Sequence, residues 1–136
     1  MIDQITVFLE NKKGRLSAMS TCLADAGINM QALCIAETTD YGIVRIIADD
    51  PAAAVEALKA ADFSASVAKV SAVEVTDEPG GLARLLSLLD EKGYNVHYGY
   101  CFSAEGGKAI DVLKIHRAEE AEAVMAAAGF KVLSPL

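Results

Sequence analysis

The chain repeats itself. An offset of 66 residues carries Gly14 onto Gly80, Leu16 onto Leu82, Leu23 onto Leu89, Gly27 onto Gly93 and Asn29 onto Asn95. The same offset carries Glu56, Ala57 and Ala60 onto Glu122, Ala123 and Ala126, although alanine matches weigh less in an alanine-rich chain. Glycine, leucine and asparagine recurring in one order at one spacing mark a duplicated unit, so the two halves share one fold. The seam falls near residues 70–72, dividing the 136 residues into units at 1–70 and 71–136.

Each copy runs through the same series of periods. From Gln4 to Glu10 apolar residues alternate, with Ile5, Val7 and Leu9 on one face, as a half-buried strand requires. After the turn Asn11-Lys12-Lys13-Gly14, the stripe Leu16, Met19, Cys22, Leu23 and Ala26 has helical spacing, and Gly27 is placed to end that helix. Ile28 to Thr38 is extended, Thr39-Asp40-Tyr41-Gly42 reads as a hairpin turn, and Ile43 to Ala48 returns as a strand. Asp50 followed by Pro51 is a helix start, and the helix turns Val55, Leu58 and Ala61 inward. Val67 to Val75 alternates without glycine or proline and serves as the last strand of one copy and the first of the next.

The second copy repeats the order. Asp77-Glu78-Pro79-Gly80-Gly81 is the turn, and Leu82, Leu85, Leu86 and Leu89 form the stripe. Asn95 to Ser103 and Ala109 to Ile115 are strands around the turn Glu105-Gly106-Gly107-Lys108. Ala118 to Ala128 is a helix with Ala121, Val124, Met125 and Ala128 inward, and Phe130 to Leu133 closes the unit. The order β-α-β-β-α-β, met twice, predicts an α+β protein of two tandem ferredoxin-like units, each an antiparallel sheet with its helices on one face. A unit of this size buries only about 60% of its unfolded surface. Contact between the copies and pairing of chains into a homodimer are therefore expected.

Composition narrows the function classes. With 19 acidic and 12 basic residues the net charge is −7, which repels phosphate backbones and argues against nucleic-acid partners. No apolar run reaches the roughly 20 residues that span a bilayer, and Met1-Ile2-Asp3-Gln4 lacks a signal-peptide layout, so a cytoplasmic protein without membrane partners is expected. Cys22, Cys34 and Cys101 are widely spaced, fitting reduced thiols better than a disulfide or a zinc site.

The residues also carry a resemblance. Asp77-Glu78-Pro79-Gly80-Gly81-Leu82-Ala83 after a strand, with Gly93-Tyr94-Asn95-Val96 at the next helix-to-strand junction, resembles the signature of ACT domains, small-molecule-sensing modules of metabolic enzymes. Gly14-Arg15-Leu16 and Gly27-Ile28-Asn29-Met30 fit the same frame in the first copy, so the resemblance spans the chain. The first copy departs from it: Asn11-Lys12-Lys13-Gly14 lacks both the proline and the acidic residues of Asp77-Glu78-Pro79-Gly80, so the two sites need not be equivalent. The resemblance implies a regulatory protein that binds free amino acids.

The turns themselves suit such a ligand. Glycine allows close backbone approach, and the helix that follows has N–H groups without intrahelical acceptors. A carboxylate can take those donors at the positive end of the helix dipole, while the amino group needs acceptors such as Asn29, Asn95 or Asp77. The expected contacts are Asn11, Gly14, Arg15, Leu16, Asn29, Met30 and Gln31 in the first unit. In the second they are Asp77, Gly80, Gly81, Leu82, Asn95, Val96 and His97. His97 with Tyr94, Tyr98 and Tyr100 could form an aromatic pocket, but Tyr98, Tyr100 and Phe102 alternate on one face and are more simply read as packing residues.

Catalysis has no support. His97 and Cys101, four apart on one strand, are roughly 13 Å from each other, beyond nucleophile–base reach. His116 beside Arg117 reads as a capping or surface residue, and Asp111 among apolar neighbours as either functional or an edge-facing or paired carboxylate. No metal-ligand spacing, phosphate-binding loop or dinucleotide motif is present, so neither metal nor cofactor is expected. The chain thus reads as a non-enzymatic amino-acid sensor acting on a metabolic enzyme in trans. The rival reading is an assembly or regulatory subunit that works by protein contact and binds no metabolite.

Overall fold

The computed structural model describes residues 1–134. The elements run β1 (Ile2–Glu10), α1 (Arg15–Asp25), β2 (Met30–Glu37), β3 (Tyr41–Ala48), α2 (Pro51–Ala60), β4 (Ser64–Thr76), α3 (Gly81–Glu91), β5 (Val96–Ala104), β6 (Lys108–Ile115), α4 (Ala118–Ala127) and β7 (Lys131–Leu133). The duplicated β-α-β-β-α-β order is therefore present. The chain divides into two compact units, one from Asp3 to Ala68 and the other from Lys69 onward joined by Met1 and Ile2.

In the first unit the strand order is β2-β3-β1-β4, with β1 and β2 each antiparallel to β3. Ile5, Val7 and Leu9 of β1 and Val44, Ile46 and Ala48 of β3 share one sheet face. Met19 and Leu23 of α1 and Ala54 and Leu58 of α2 cover it. Both helices thus lie on one face. In the second unit the order is β5-β6-β4-β7, with each neighbouring pair antiparallel. Val73, Val75, Leu113 and Ile115 pack there against Leu85 and Leu89 of α3 and Ala121 and Met125 of α4. Each fully buried leucine stabilises its unit by about 1.5–3 kcal/mol relative to exposure.

Several details differ from the sequence reading. Tyr41 and Gly42 belong to β3, because Thr38 and Tyr41 close the hairpin one step earlier: the Thr38 N–H donates to the Tyr41 carbonyl at 2.7 Å. Ala26, Ala61 and Ala128 are exposed, since each is the residue at which its helix stops. Val124 is only half-buried, and Leu16, Leu82 and Leu86 stay exposed while Met19, Leu23, Leu85 and Leu89 form the buried stripes.

The repeat also slips by one residue. Glu37 pairs with Gly42 in the first hairpin, whereas its counterpart Ser103 pairs with Ala109, so the second hairpin holds one extra residue. Beyond it the equivalent positions are Val44 with Asp111, Ala54 with Ala121, Leu58 with Met125 and Phe63 with Phe130. The matches of Glu56, Ala57 and Ala60 with Glu122, Ala123 and Ala126 are therefore not structural equivalences. Among the described residues no helix is long and apolar enough to cross a membrane.

Candidate functional site

Gly14 and Gly80 hold the same strained place. Each precedes its helix with φ of 91°, a conformation L side chains rarely adopt, and neither α1 nor α3 receives a side-chain cap. The first N–H of each helix is taken up within its turn, Arg15 donating to the Lys12 carbonyl at 3.3 Å and Gly81 to the Glu78 carbonyl at 3.0 Å, which leaves the next N–H groups, at Leu16 and Leu82, as the donors that the sequence implies. Gly81 is required for a second reason: a Cβ there would run into the Thr76 carbonyl oxygen.

In the first unit a cavity of about 180 Å³ opens beside this turn, lined among others by Asn11, Leu16, Ile35, Glu37 and Val44. Asn11 ties the turn to the β2–β3 hairpin: its Nδ2 donates to the Thr38 and Thr39 carbonyls at 3.3 Å each, and its N–H donates to Asp40 at 2.9 Å. Lys12 pairs with Glu10 at 2.9 Å, and hydrogen bonding to Lys12 holds the Glu10 carboxyl below its ordinary value. Leu16 is 40% exposed and forms part of the cavity wall. Arg15 points elsewhere, its guanidinium 4.7 Å from the Phe63 ring.

Asn29, Met30 and Gln31 are not brought to this cavity. They stand at the opposite end of β2 from Ile35 and Glu37, with Asn29 about 20 Å and Gln31 about 13 Å from Ile35 at 3.3 Å per residue. The Asn29 N–H donates instead to Asp49 Oδ1 at 3.1 Å, and Met30 packs against the core. Within one unit, then, the glycine turn and the asparagine expected to take the amino group lie at opposite ends.

The second unit repeats that separation and adds a closure of its own. Arg84 lies against the turn, donating to Thr76 Oγ1 at 2.9 Å and to Glu78 Oε1 at 3.1 Å, with Nη1 beside Gly80. Asp77 is exposed, and its N–H donates to the Gly107 carbonyl at 2.8 Å. Asn95 is held by His116, whose Nδ1 accepts the Asn95 backbone N–H at 2.7 Å while the His116 backbone N–H donates to the Asn95 carbonyl at 3.1 Å. The Asn95 side chain and the exposed His97 ring meet at 3.4 Å. His116 also lies 5.8 Å from the Tyr94 ring, so it fastens the start of β5. Tyr98, Tyr100 and Phe102 are all half-buried, as packing residues would be.

Leu82 and Val96 do meet. Both line a cavity of about 310 Å³ between α3 and β5–β6, with Leu86, Gly99, Tyr100, Cys101, Asp111 and Leu113. This is the counterpart of the first unit's cavity, because Leu82, Cys101 and Asp111 stand where Leu16, Ile35 and Val44 stand. Asp111 is neither edge-facing nor paired. Its strand runs between β4 and β5, the residue is 4% exposed, and Oδ2 has no hydrogen-bond partner among the described residues. Burial raises its carboxyl pKa above the ordinary carboxylate range. The sequence drew attention to Asp111 but gave no sign that it shares a cavity with Leu82. Among the described residues no group of three His, Cys, Asp or Glu side chains is placed to hold a metal ion.

The family model described as "ACT domain pair" matches residues 1–133. The chain belongs to the ACT domain family. Its ACT pair superposes on protein BT0572 from Bacteroides thetaiotaomicron with a TM-score of 0.92 at 35% identity, over 97% of this chain and 91% of that one. It also superposes on the ligand-free regulatory subunit of aspartate kinase from Thermus thermophilus, with a TM-score of 0.67 at 19% identity, over 93% and 92% of the two chains. The regulatory subunit of aspartate kinase from Thermus flavus matches with a TM-score of 0.66 at 20% identity, over 92% and 88%. At those identities the aspartate kinase subunits share the ACT-pair fold. No curated protein matches the chain.

Proposed function

We propose that this ACT pair is a non-enzymatic regulatory protein of the cytoplasm that binds a free amino acid beside its glycine turns. The observation that carries the reading is the repeated arrangement of an uncapped helix start on a positive-φ glycine next to a cavity, in both units of a family-matched pair. Main-chain donors in the first turns of α1 and α3, at Leu16 and Leu82, suit the ligand carboxylate. Two or three hydrogen bonds to charged groups, at roughly 1.5–3 kcal/mol each, support micromolar to millimolar affinity after the costs of association.

Asn29–Gln31, Asn95 and His97 lie too far along their strands to serve the turn of their own unit, so in this reading they reach a ligand from another copy of the chain. A homodimer suits that need, since β2 is an end strand in its unit's order and carries exposed Leu33 and Ile35. Arg84 favours a second reading for the second unit. With its turn closed by its own side chain, that unit acts through contact with a metabolic enzyme regulated in trans.

A thermal-shift panel of the common amino acids on the full chain tests the proposal. A rise in melting temperature with one or a few of them is expected, and a flat response to all of them overturns it. Partner capture from lysate that ignores every amino acid supports the contact reading instead.

A further inference from the structure

The two cavities are built alike but differ at one position. Where the first unit has Val44, the second has a carboxylate that sits 4% exposed with Oδ2 unpartnered. A buried carboxylate left without donors is costly, and native structures seldom keep one without a use. No residue lining this cavity carries a positive charge, and Leu82, Leu86, Val96 and Leu113 make its wall apolar. The volume of about 310 Å³ matches the lower end of ordinary small-molecule sites. An apolar enclosure with one convergent charge suits an apolar ligand body with a single group of opposite sign. The net charge of −7 also draws cations toward the surface.

We propose that the cavity between α3 and β5–β6 binds a small molecule carrying a protonated amine on an apolar body, the amine donating to the Asp111 carboxylate while Leu82, Leu86 and Val96 cover the body. The proposal rests on the ligand-binding reading above and adds which group of the ligand the second unit recognises. The first unit's cavity, with Val44 in that place, makes no such demand. Cys101, exposed and directly opposite Asp111, borders the mouth of the site and reports on its occupancy.

The test uses the full chain and three probes of one shape: isoamylamine, isoamyl alcohol and isovalerate. Calorimetric titration is expected to show the amine binding roughly tenfold or more tightly than the other two, with Asp111→Asn lowering amine affinity by a similar factor and leaving the alcohol unchanged. In the wild-type chain, saturating isoamylamine is expected to slow iodoacetamide labelling of Cys101 and leave Cys34 unaffected. That readout does not depend on the variant folding. Equal binding of isovalerate and amine, undiminished amine binding by Asp111→Asn, or unprotected Cys101 overturns the inference. If amino acids shift the melting temperature while the amine ignores Asp111, this inference fails and the amino-acid reading survives. If the amine binds through Asp111 while no amino acid has an effect, the amino-acid reading fails and the amine site stands.

Discussion

Cys101 and Asp111 lie directly opposite each other in the β5–β6 ladder, at the position where the first unit pairs Ile35 with Val44. One unit therefore keeps a hydrocarbon pair and the other a thiol beside a buried carboxylate. Replacing an unsatisfied buried charge with a side chain of similar volume removes its desolvation cost. Asp111→Val is thus expected to stabilise the chain by about 1–3 kcal/mol at neutral pH in urea denaturation. The reverse change, Val44→Asp, is expected to destabilise by at least a similar amount.

The same residue sets a pH dependence. Burial raises the folded-state pKa of Asp111 above its unfolded value, so folding favours the protonated form. The stability that goes with that proton is present below the unfolded pKa and is lost as pH rises through the folded pKa. The advantage of Asp111→Val over wild type should therefore be largest near neutrality and shrink as pH falls into the carboxylate range. Paired urea melts across pH 3–8 on the order of unit steps check this, and a gap that widens on acidification contradicts it.

The glycine turns separate two kinds of constraint. At Gly14 the φ is 91° and nothing lies within 4 Å of a would-be Cβ, so Gly14→Ala carries backbone strain alone, about 1–2 kcal/mol. At Gly81 the backbone is relaxed but a Cβ meets the Thr76 carbonyl, so Gly81→Ala should cost about 1–3 kcal/mol by displacing β4 from α3. Denaturation midpoints measure both. Amide exchange should quicken around Thr76 only in Gly81→Ala.

The fold was legible because periodicity and punctuation agree in both copies: alternating Ile5, Val7 and Leu9, a helical stripe, and Gly27 and Gly93 after the first helix of each copy. What sequence could not supply was the third dimension of the site. Asn29 follows Gly27 as Asn95 follows Gly93, and the repetition reads as function. In the structure these positions fasten the start of a strand, through Asp49 in one unit and His116 in the other. The one-residue slip between the copies was also hidden, because alanines in α2 and α4 give matches at either offset. Asp111 attracted notice as an acid among apolar residues, but only the pairing with Cys101 places it opposite Leu82 across a cavity.

The slip itself is testable. If Leu58 and Met125 are equivalent, both fully buried, truncating either to alanine should leave a comparable void and cost about 2–5 kcal/mol. At the uncorrected offset the partner of Leu58 is Val124, which is only half-buried. Val124→Ala should then cost clearly less than Met125→Ala in the same urea melts.

Asn11 gives the last prediction. Its side chain is exposed, yet its Nδ2 holds the Thr38 and Thr39 carbonyls and so couples the glycine turn to the hairpin tip above the first cavity. Exposed hydrogen bonds of 3.3 Å contribute modestly, so Asn11→Ala should lower global stability by about 0.5–1.5 kcal/mol. Its local effect should be larger than that figure suggests, because both bonds bridge the glycine turn and the hairpin. Faster amide exchange at residues 38–41, with exchange in β1 and α1 unchanged, is the expected result. An amino acid bound at this turn should slow that exchange in wild type and do so less in the variant. Identical exchange in the two proteins would show that Asn11 does not link turn to hairpin.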